Sequence, residues 1–203
     1  MTTKDPDAES PVAQQGGFMR KVVVTEYVTL DGVMEAPNKW SFQFWTEESA
    51  QFKFDELFAS DALLLGRVTY EGFAAAWPTM KDDAGFADRM NSLPKYVVST
   101  TLQELEWNNS RLIRENVAEE VARLKREPGG DILVAGSADL VSTLMQHDLV
   151  DEYRLMVHPV VVGSGKRLFS EGSDKTVLKL VDTRTFSSGV VVLTYQPGKG
   201  ETK

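Results

Sequence analysis

The chain has 203 residues, of which 42% are hydrophobic and 26% charged, the profile of an ordinary globular domain long enough to bury a core without cross-links. A formal net charge of −8 repels the phosphates of DNA and RNA and speaks against a nucleic-acid partner. No cysteine is present, which excludes disulfides, thiolate metal sites and cysteine nucleophiles, and suits a reducing cytoplasm.

Residues 1–18 carry Asp5, Asp7 and Glu9 among Pro, Gln, Ser and Gly, where a signal peptide would need basic and then apolar residues. They read as a disordered leader, ahead of one folded domain over 19–197 and a flexible tail over 198–203. Residues 20–30 (RKVVVTEYVTL) form a β-branched, buried first strand closed by the turn pair Asp31-Gly32. A loop with Pro37, Trp40 and Trp45 follows, and the spacing of Ala50, Phe54, Leu57 and Phe58 predicts a helix from about Glu47. Residues 62–65 are a short apolar strand running into Gly66, and 69–77 a helix that Thr69 can cap and Pro78 ends.

The mixed polar stretch 80–92 reads as a surface excursion. Residues 95–99 and 111–113 are strands. Asn116 caps a helix with Val117, Val121 and Leu124 inward, which stops at Pro128-Gly129-Gly130. Then come a strand over 132–135, a helix over 137–146, a strand over 150–157 and a Gly-rich loop at 163–165. The runs 177–186 and 190–195 meet at Ser187-Ser188-Gly189 as an antiparallel hairpin. Strands alternating with helices before a terminal hairpin predict a mainly parallel α/β sheet with antiparallel edge strands. No apolar run is long enough to span a bilayer, so no membrane partner is expected.

Three segments are placed to bind a ligand. At Leu65-Gly66-Arg67-Val68-Thr69 a buried strand meets a helix start, whose free N–H groups can take a phosphate while Arg67 adds a bidentate cation. Ala135-Gly136-Ser137-Ala138-Asp139-Leu140 repeats the arrangement without the G-x-G-x-x-G fingerprint. Val98-Ser99-Thr100-Thr101 sets hydroxyls at a third strand end. Ligands in parallel α/β sheets sit at the C-terminal edge, so all three should open on one side. Gly163-Ser164-Gly165-Lys166 is no P-loop, since Val160 and Arg167 stand where Gly and Ser/Thr are needed. His147 and His158 have no metal-ligand spacing, and no metal is expected.

In this order and spacing, Leu65 through Glu71, Val97-Val98-Ser99-Thr100 and Val134-Ala135-Gly136-Ser137 resemble the cofactor-binding segments of dihydrofolate reductase. Thr29-Leu30-Asp31-Gly32, Leu149-Val150-Asp151-Glu152, Pro159 through Gly165 and Leu168-Phe169 make the chain more similar to one particular group. That group is the reductase domain of the bifunctional deaminase–reductase of riboflavin biosynthesis, with its free-standing bacterial relatives.

The resemblance implies a dihydrofolate reductase-like three-layer α/β/α fold and NADPH as cofactor. Gly66, Arg67, Val68 and Thr69 would lie at the adenosine end, with Arg67 and the Ser99, Thr100 and Thr101 hydroxyls toward the 2′-phosphate. Gly136, Ser137, Ala138, Asp139 and Leu140 would line the pyrophosphate. Asp31 and Gly32 would belong to the loop covering the nicotinamide, with Gly163 and Gly165 near the substrate opening. The same resemblance implies a homodimer paired through the terminal hairpin.

On the substrate side no Asp aligns with the pterin-binding carboxylate of dihydrofolate reductase. Asp31, Glu47 and Glu48 are the candidates to manage the proton, and Trp40 and Trp45 the candidates to stack on a ring. The expected substrate is a pyrimidine- or pteridine-like heterocycle. Dihydrofolate reductase activity proper, and a catalytically silent ligand-binding protein on the same fold, are the alternatives.

Overall fold

The computed structural model describes residues 19–169 and 174–198; the expected leader and all but Gly198 of the expected tail lie outside them. Eight strands form one sheet in the order β4-β3-β2-β5-β1-β6-β8-β7. They are β1 (Val22–Thr29), β2 (Ser60–Gly66), β3 (Lys95–Val98), β4 (Ser110–Ile113), β5 (Asp131–Val134), β6 (Glu152–His158), β7 (Leu178–Thr185) and β8 (Val191–Pro197). The first six run parallel, whereas β8 is antiparallel to both β6 and β7. The expected mixed sheet with a C-terminal antiparallel hairpin is what the chain forms. The helices are α1 (Glu47–Phe58), α2 (Arg67–Ala76), α3 (Phe86–Ser92), α4 (Val117–Arg126) and α5 (Ala138–Gln146).

Both faces of β1 are covered, which is why it reads as an unbroken Val run and not as an alternation. Val22, Val24 and Val28 pack with Val121 and Leu124 of α4 and Leu140, Val141 and Leu144 of α5. Val23 turns the other way, into a cluster with Leu57 of α1, Tyr70 of α2 and Met90 of α3. On that second face α1 is also fastened by charge. Thr25 Oγ1 donates to Glu56 Oε2 at 2.9 Å, Lys53 Nζ donates to Thr25 Oγ1 at 2.9 Å and pairs with Glu56, and Arg154 of β6 lies 3.5 Å from the other Glu56 oxygen.

Three local expectations need correcting. The polar stretch 80–92 contains α3, which buries Ala87 and Met90. Asp82 fixes its start by accepting the Phe86 and Ala87 N–H groups at 2.9 and 2.6 Å. Its C-terminal end is held by Lys95, whose buried ammonium donates to Asn91 O and Leu93 O at 2.7 and 2.9 Å and to Asn108 O at 3.2 Å. It also lies 4.2 Å from the Trp107 ring centroid. Burial lowers this ammonium's pKa from 10.5 to about 8.

Thr69 does not cap α2. Gly66 is the N-cap and the helix begins at Arg67, with Thr69 inside its first turn. Asn116 does precede α4, but in the left-handed region (φ 52°) and without a side-chain capping bond.

Candidate functional site

The register of the sheet builds the site. Gly66 pairs with Val98 in β3, and Leu64 pairs with Val134 in β5, so the chain leaves β2, β3 and β5 at one level and on one edge. The three expected segments therefore open together. The contact between two of them is close: Gly66 N donates to Gly136 O at 3.2 Å. A Cβ on Gly66 would stand 2.5 Å from Ser137 Oγ and 3.1 Å from Ser137 N, and one on Gly136 would stand 2.6 Å from Thr69 Oγ1. Gly136 also has φ +83°, and the Gly136-Ser137 peptide is cis. The Ser137 and Thr69 side chains fill the gap between the turns and leave no room for a Cβ on either glycine, so the two helix starts are brought side by side.

At these helix starts, Ser137 is the N-cap of α5 in extended conformation and makes no side-chain capping bond. Its hydroxyl is thus free for another partner. Ala138, Asp139 and Leu140 form the first turn of α5; Leu140 turns into the core, while Asp139 points out and pairs with Lys166 Nζ at 2.5 Å. A cleft of about 310 Å³ opens beside them, between the outer face of α5 and Lys166, Arg167 and Leu168. On α2, Val68 is exposed and Arg67 is half-exposed, its Nη1 donating to both carboxylate oxygens of Glu71 at 2.9 and 3.2 Å. Such a pair in water is weak and can be exchanged for a phosphate. Ser99 Oγ is spent on the turn after β3, accepting the N–H groups of Thr101 and Leu102 at 3.2 and 3.0 Å. Thr100 and Thr101 stay exposed.

The structure adds one residue that sequence reasoning passed over. Glu26 lies in β1 between Val24 and Val28, on the α5 face, and is 6% exposed. Its Oε1 accepts the Gly136 N–H at 2.6 Å, directly beneath the turn. Burial drives its pKa from 4.5 to about 8, against the opposing pull of the Gly136 N–H and of Lys53. Its signal in the sequence was a lone carboxylate in an otherwise apolar and β-branched strand.

The expected proton-handling residues are not gathered in one place. Asp31 accepts Thr29 Oγ1–H at 2.6 Å and the Gly163 and Val162 N–H groups at 2.9 and 3.3 Å. Those bonds, the Thr29 hydroxyl foremost, hold its carboxyl below the usual range and make it a clasp between two loops. Glu48 is likewise held low, by the Ser187 hydroxyl and N–H, and ties α1 to the β7–β8 turn. Glu47 is exposed in the first turn of α1 and makes no side-chain bond among the described residues.

The expected ring-stacking and loop residues divide in the same way. Trp40 is buried, donates Nε1–H to Glu35 O at 3.0 Å and meets His158 edge-on with centroids 5.1 Å apart, so its ring packs the core and is not free to stack on a substrate. Trp45 is 45% exposed. Gly32, half-buried, and Gly163, exposed, take positive φ, and Gly165 (φ +127°) lies where a Cβ would stand 2.8 Å from Val33. Among the described residues no group of His, Asp and Glu is arranged to hold a metal ion, and no helix is long and apolar enough to cross a membrane.

Comparison with known proteins gives this geometry a family. The sequence pattern of the RibD C-terminal domain matches residues 20–192. The chain belongs to the RibD C-terminal domain family. Two Bacillus subtilis proteins, the uncharacterized YyaP and YwjB, are 38% and 32% identical to it. Those alignments cover 87% and 84% of this chain and 94% and 95% of theirs.

Among solved structures, a Shewanella sp. PV-4 protein described as a riboflavin biosynthesis protein superposes with a TM-score of 0.72 at 19% identity, covering 88% of this chain and 99% of its own. A diaminohydroxyphosphoribosylaminopyrimidine deaminase/5-amino-6-(5-phosphoribosylamino)uracil reductase of Thermotoga maritima superposes at 0.61 with 16% identity, over 89% of this chain and 57% of its own. A pyrimidine reductase-like protein of Corynebacterium diphtheriae gives 0.61 at 12% identity, over 89% and 93%. At such identities the structures share the fold. The RibD-type, dihydrofolate reductase-like architecture expected from the sequence is therefore the one this chain adopts.

Proposed function

We propose that this RibD-family chain is an NADPH-dependent reductase of a pyrimidine- or pteridine-like heterocycle. The observation that carries the reading is the close packing of the Gly66 turn on the Gly136–Ser137 turn, which sets the starts of α2 and α5, with their first-turn N–H groups, side by side at one edge of the sheet. That cradle fits a dinucleotide diphosphate. A bound dihydronicotinamide supplies the hydride. The chain's own residues do the rest: the first turn of α5 and the Ser137 hydroxyl hold the diphosphate, and Arg67 exchanges Glu71 for the 2′-phosphate. The loop clasped by Asp31 excludes water from the reacting rings. With Asp31 and Glu48 held ionised in clasps, Glu47 or a water molecule is left to deliver the proton.

The test is a titration of NADPH and NADH followed by tryptophan fluorescence. NADPH should bind more tightly, and Arg67→Ala should cost NADPH about tenfold while leaving NADH unchanged, the value of one charge-assisted phosphate contact. If neither dinucleotide binds, the reading is wrong.

The commitment of two expected acids to loop clasps favours one alternative, a protein that binds the dinucleotide without turnover. NADPH binding with no oxidation across a panel of pterins, aminouracils and small carbonyls would support it. We also propose a homodimer formed along the terminal hairpin, because β7 is exposed along nearly its whole length and carries Leu180 and Val181 at 47% and 43% exposure. Light scattering tests it.

A further inference from the structure

Glu26 is a buried acid directly beneath the Gly136–Ser137 turn. Its carboxyl meets the peptide N–H that opens the Gly136–Ser137 turn, and no cation pairs with it among the described residues. Buried carboxylates normally find a cation or several N–H donors; this one has a single N–H. The charged groups around it work against each other. Lys53 and Glu56 of α1 lie across the sheet and act with opposite sign, Arg154 of β6 is taken by Glu56 and Glu152, and Asp139 on the outer side of α5 is paired with Lys166. A diphosphate on the same turn would bring like charge beside the carboxylate, with only the thickness of the turn between them. Like charges at that range in a water-poor site cannot both persist, and the group that can neutralise itself is the carboxyl.

We propose that Glu26 is a positioning residue for the dinucleotide, holding the Gly136 N–H in place and taking up a proton when the diphosphate occupies the turn. This rests on the dinucleotide reading above. Protonated Glu26 still accepts the Gly136 N–H through its carbonyl oxygen, so the turn keeps its shape while losing the opposing charge. The carboxyl is about half ionised near pH 8 in the free protein. Dinucleotide affinity should therefore fall about tenfold between pH 7 and pH 9, where the phosphates of the ligand no longer titrate.

Isothermal titration calorimetry of the full chain with NADPH at pH 8.5, in buffers of different ionisation enthalpy, reads the protons taken up directly. Wild-type protein should take up about 0.8 proton per dinucleotide, the share of Glu26 still ionised at that pH. Glu26→Gln, which keeps the accepting oxygen and removes the charge, should take up none, and its affinity should change less than twofold from pH 7 to 9. Binding without proton uptake by the wild type, or uptake that survives in Glu26→Gln, overturns the proposal while leaving the dinucleotide reading intact. Absence of any binding overturns both. The wild-type measurement stands on its own if the variant does not fold.

Discussion

Gly66→Ala is the sharpest perturbation of the cradle. Gly66 has φ −75° and ψ 160°, which any residue adopts, so the backbone bears no cost and the effect is steric alone. The new methyl would stand 2.5 Å from Ser137 Oγ, 3.0 Å from Ser137 Cβ and 3.1 Å from Ser137 N. Rotating the serine relieves the first contact only. The others require the β5–α5 turn to move away from β2 and stretch the Gly66 N–H to Gly136 O bond, 3.2 Å long at the start. Overpacking of this kind costs roughly 1–3 kcal/mol.

The variant should lower the urea midpoint with an unchanged m-value and weaken NADPH at least tenfold. Ser137→Gly in the same background deletes Oγ and Cβ but leaves the 3.1 Å approach to the nitrogen. It should recover more than half of the lost stability, a coupling of about 1 kcal/mol in a double-mutant cycle. Two additive substitutions, or a Gly66→Ala protein as stable and as tight-binding as the parent, would refute the apposition on which the site is built.

Two further predictions concern buried charge. Glu26 has its folded pKa raised from 4.5 to about 8, so the folded state binds more protons than the unfolded chain across that window. Its contribution is fully present below pH 4.5 and is lost as pH rises toward 8, by at most about 5 kcal/mol. Glu26→Gln should remove that slope, and its stability relative to wild type should rise from pH 5 to pH 8.5 in urea titrations. Lys95 shifts the opposite way, from 10.5 to about 8, so the unfolded chain binds more protons between those values and stability gains with pH there. Lys95→Met should flatten this gain and, by leaving three carbonyls without their donor, destabilise the protein at pH 7 by about 1–3 kcal/mol.

The fold was legible because its strands announce themselves. Val22, Val23 and Val24 are three consecutive buried residues, as a strand covered on both faces requires, and β2 and β5 run through Gly66 and Gly136-Ser137 into their helices. The pairing of Gly66 with Gly136 was not legible, because register across 70 positions depends on which strand lies beside which. Helix α3 escaped because its apolar residues are only Phe86, Ala87 and Met90, too few to set up a period, and because the lysine that ends it comes from the next strand. The roles of Asp31 and Glu48 as clasps were hidden for the same reason: the loops they tie down, at Gly163 and Ser187, are more than 130 positions away. Trp40 looked like a stacking residue until His158 arrived from β6 to cover it.

The strand order has a consequence for how the molecule comes into being. β5 is inserted between β1 and β2, which precede it in the chain, so β1 stays apart from the β2–β3 pair until residues 131–134 have been made. The sheet closes by admitting a late strand into its middle, and the Gly136 turn arrives with that strand. An N-terminal fragment ending before β5 would carry Arg67 and the α2 start yet have nothing to set against them. Such non-local closure is slow, and a ligand that needs both halves can stabilise only the finished state. Addition of dinucleotide during refolding should therefore leave the rate of appearance of native protein unchanged while slowing its loss.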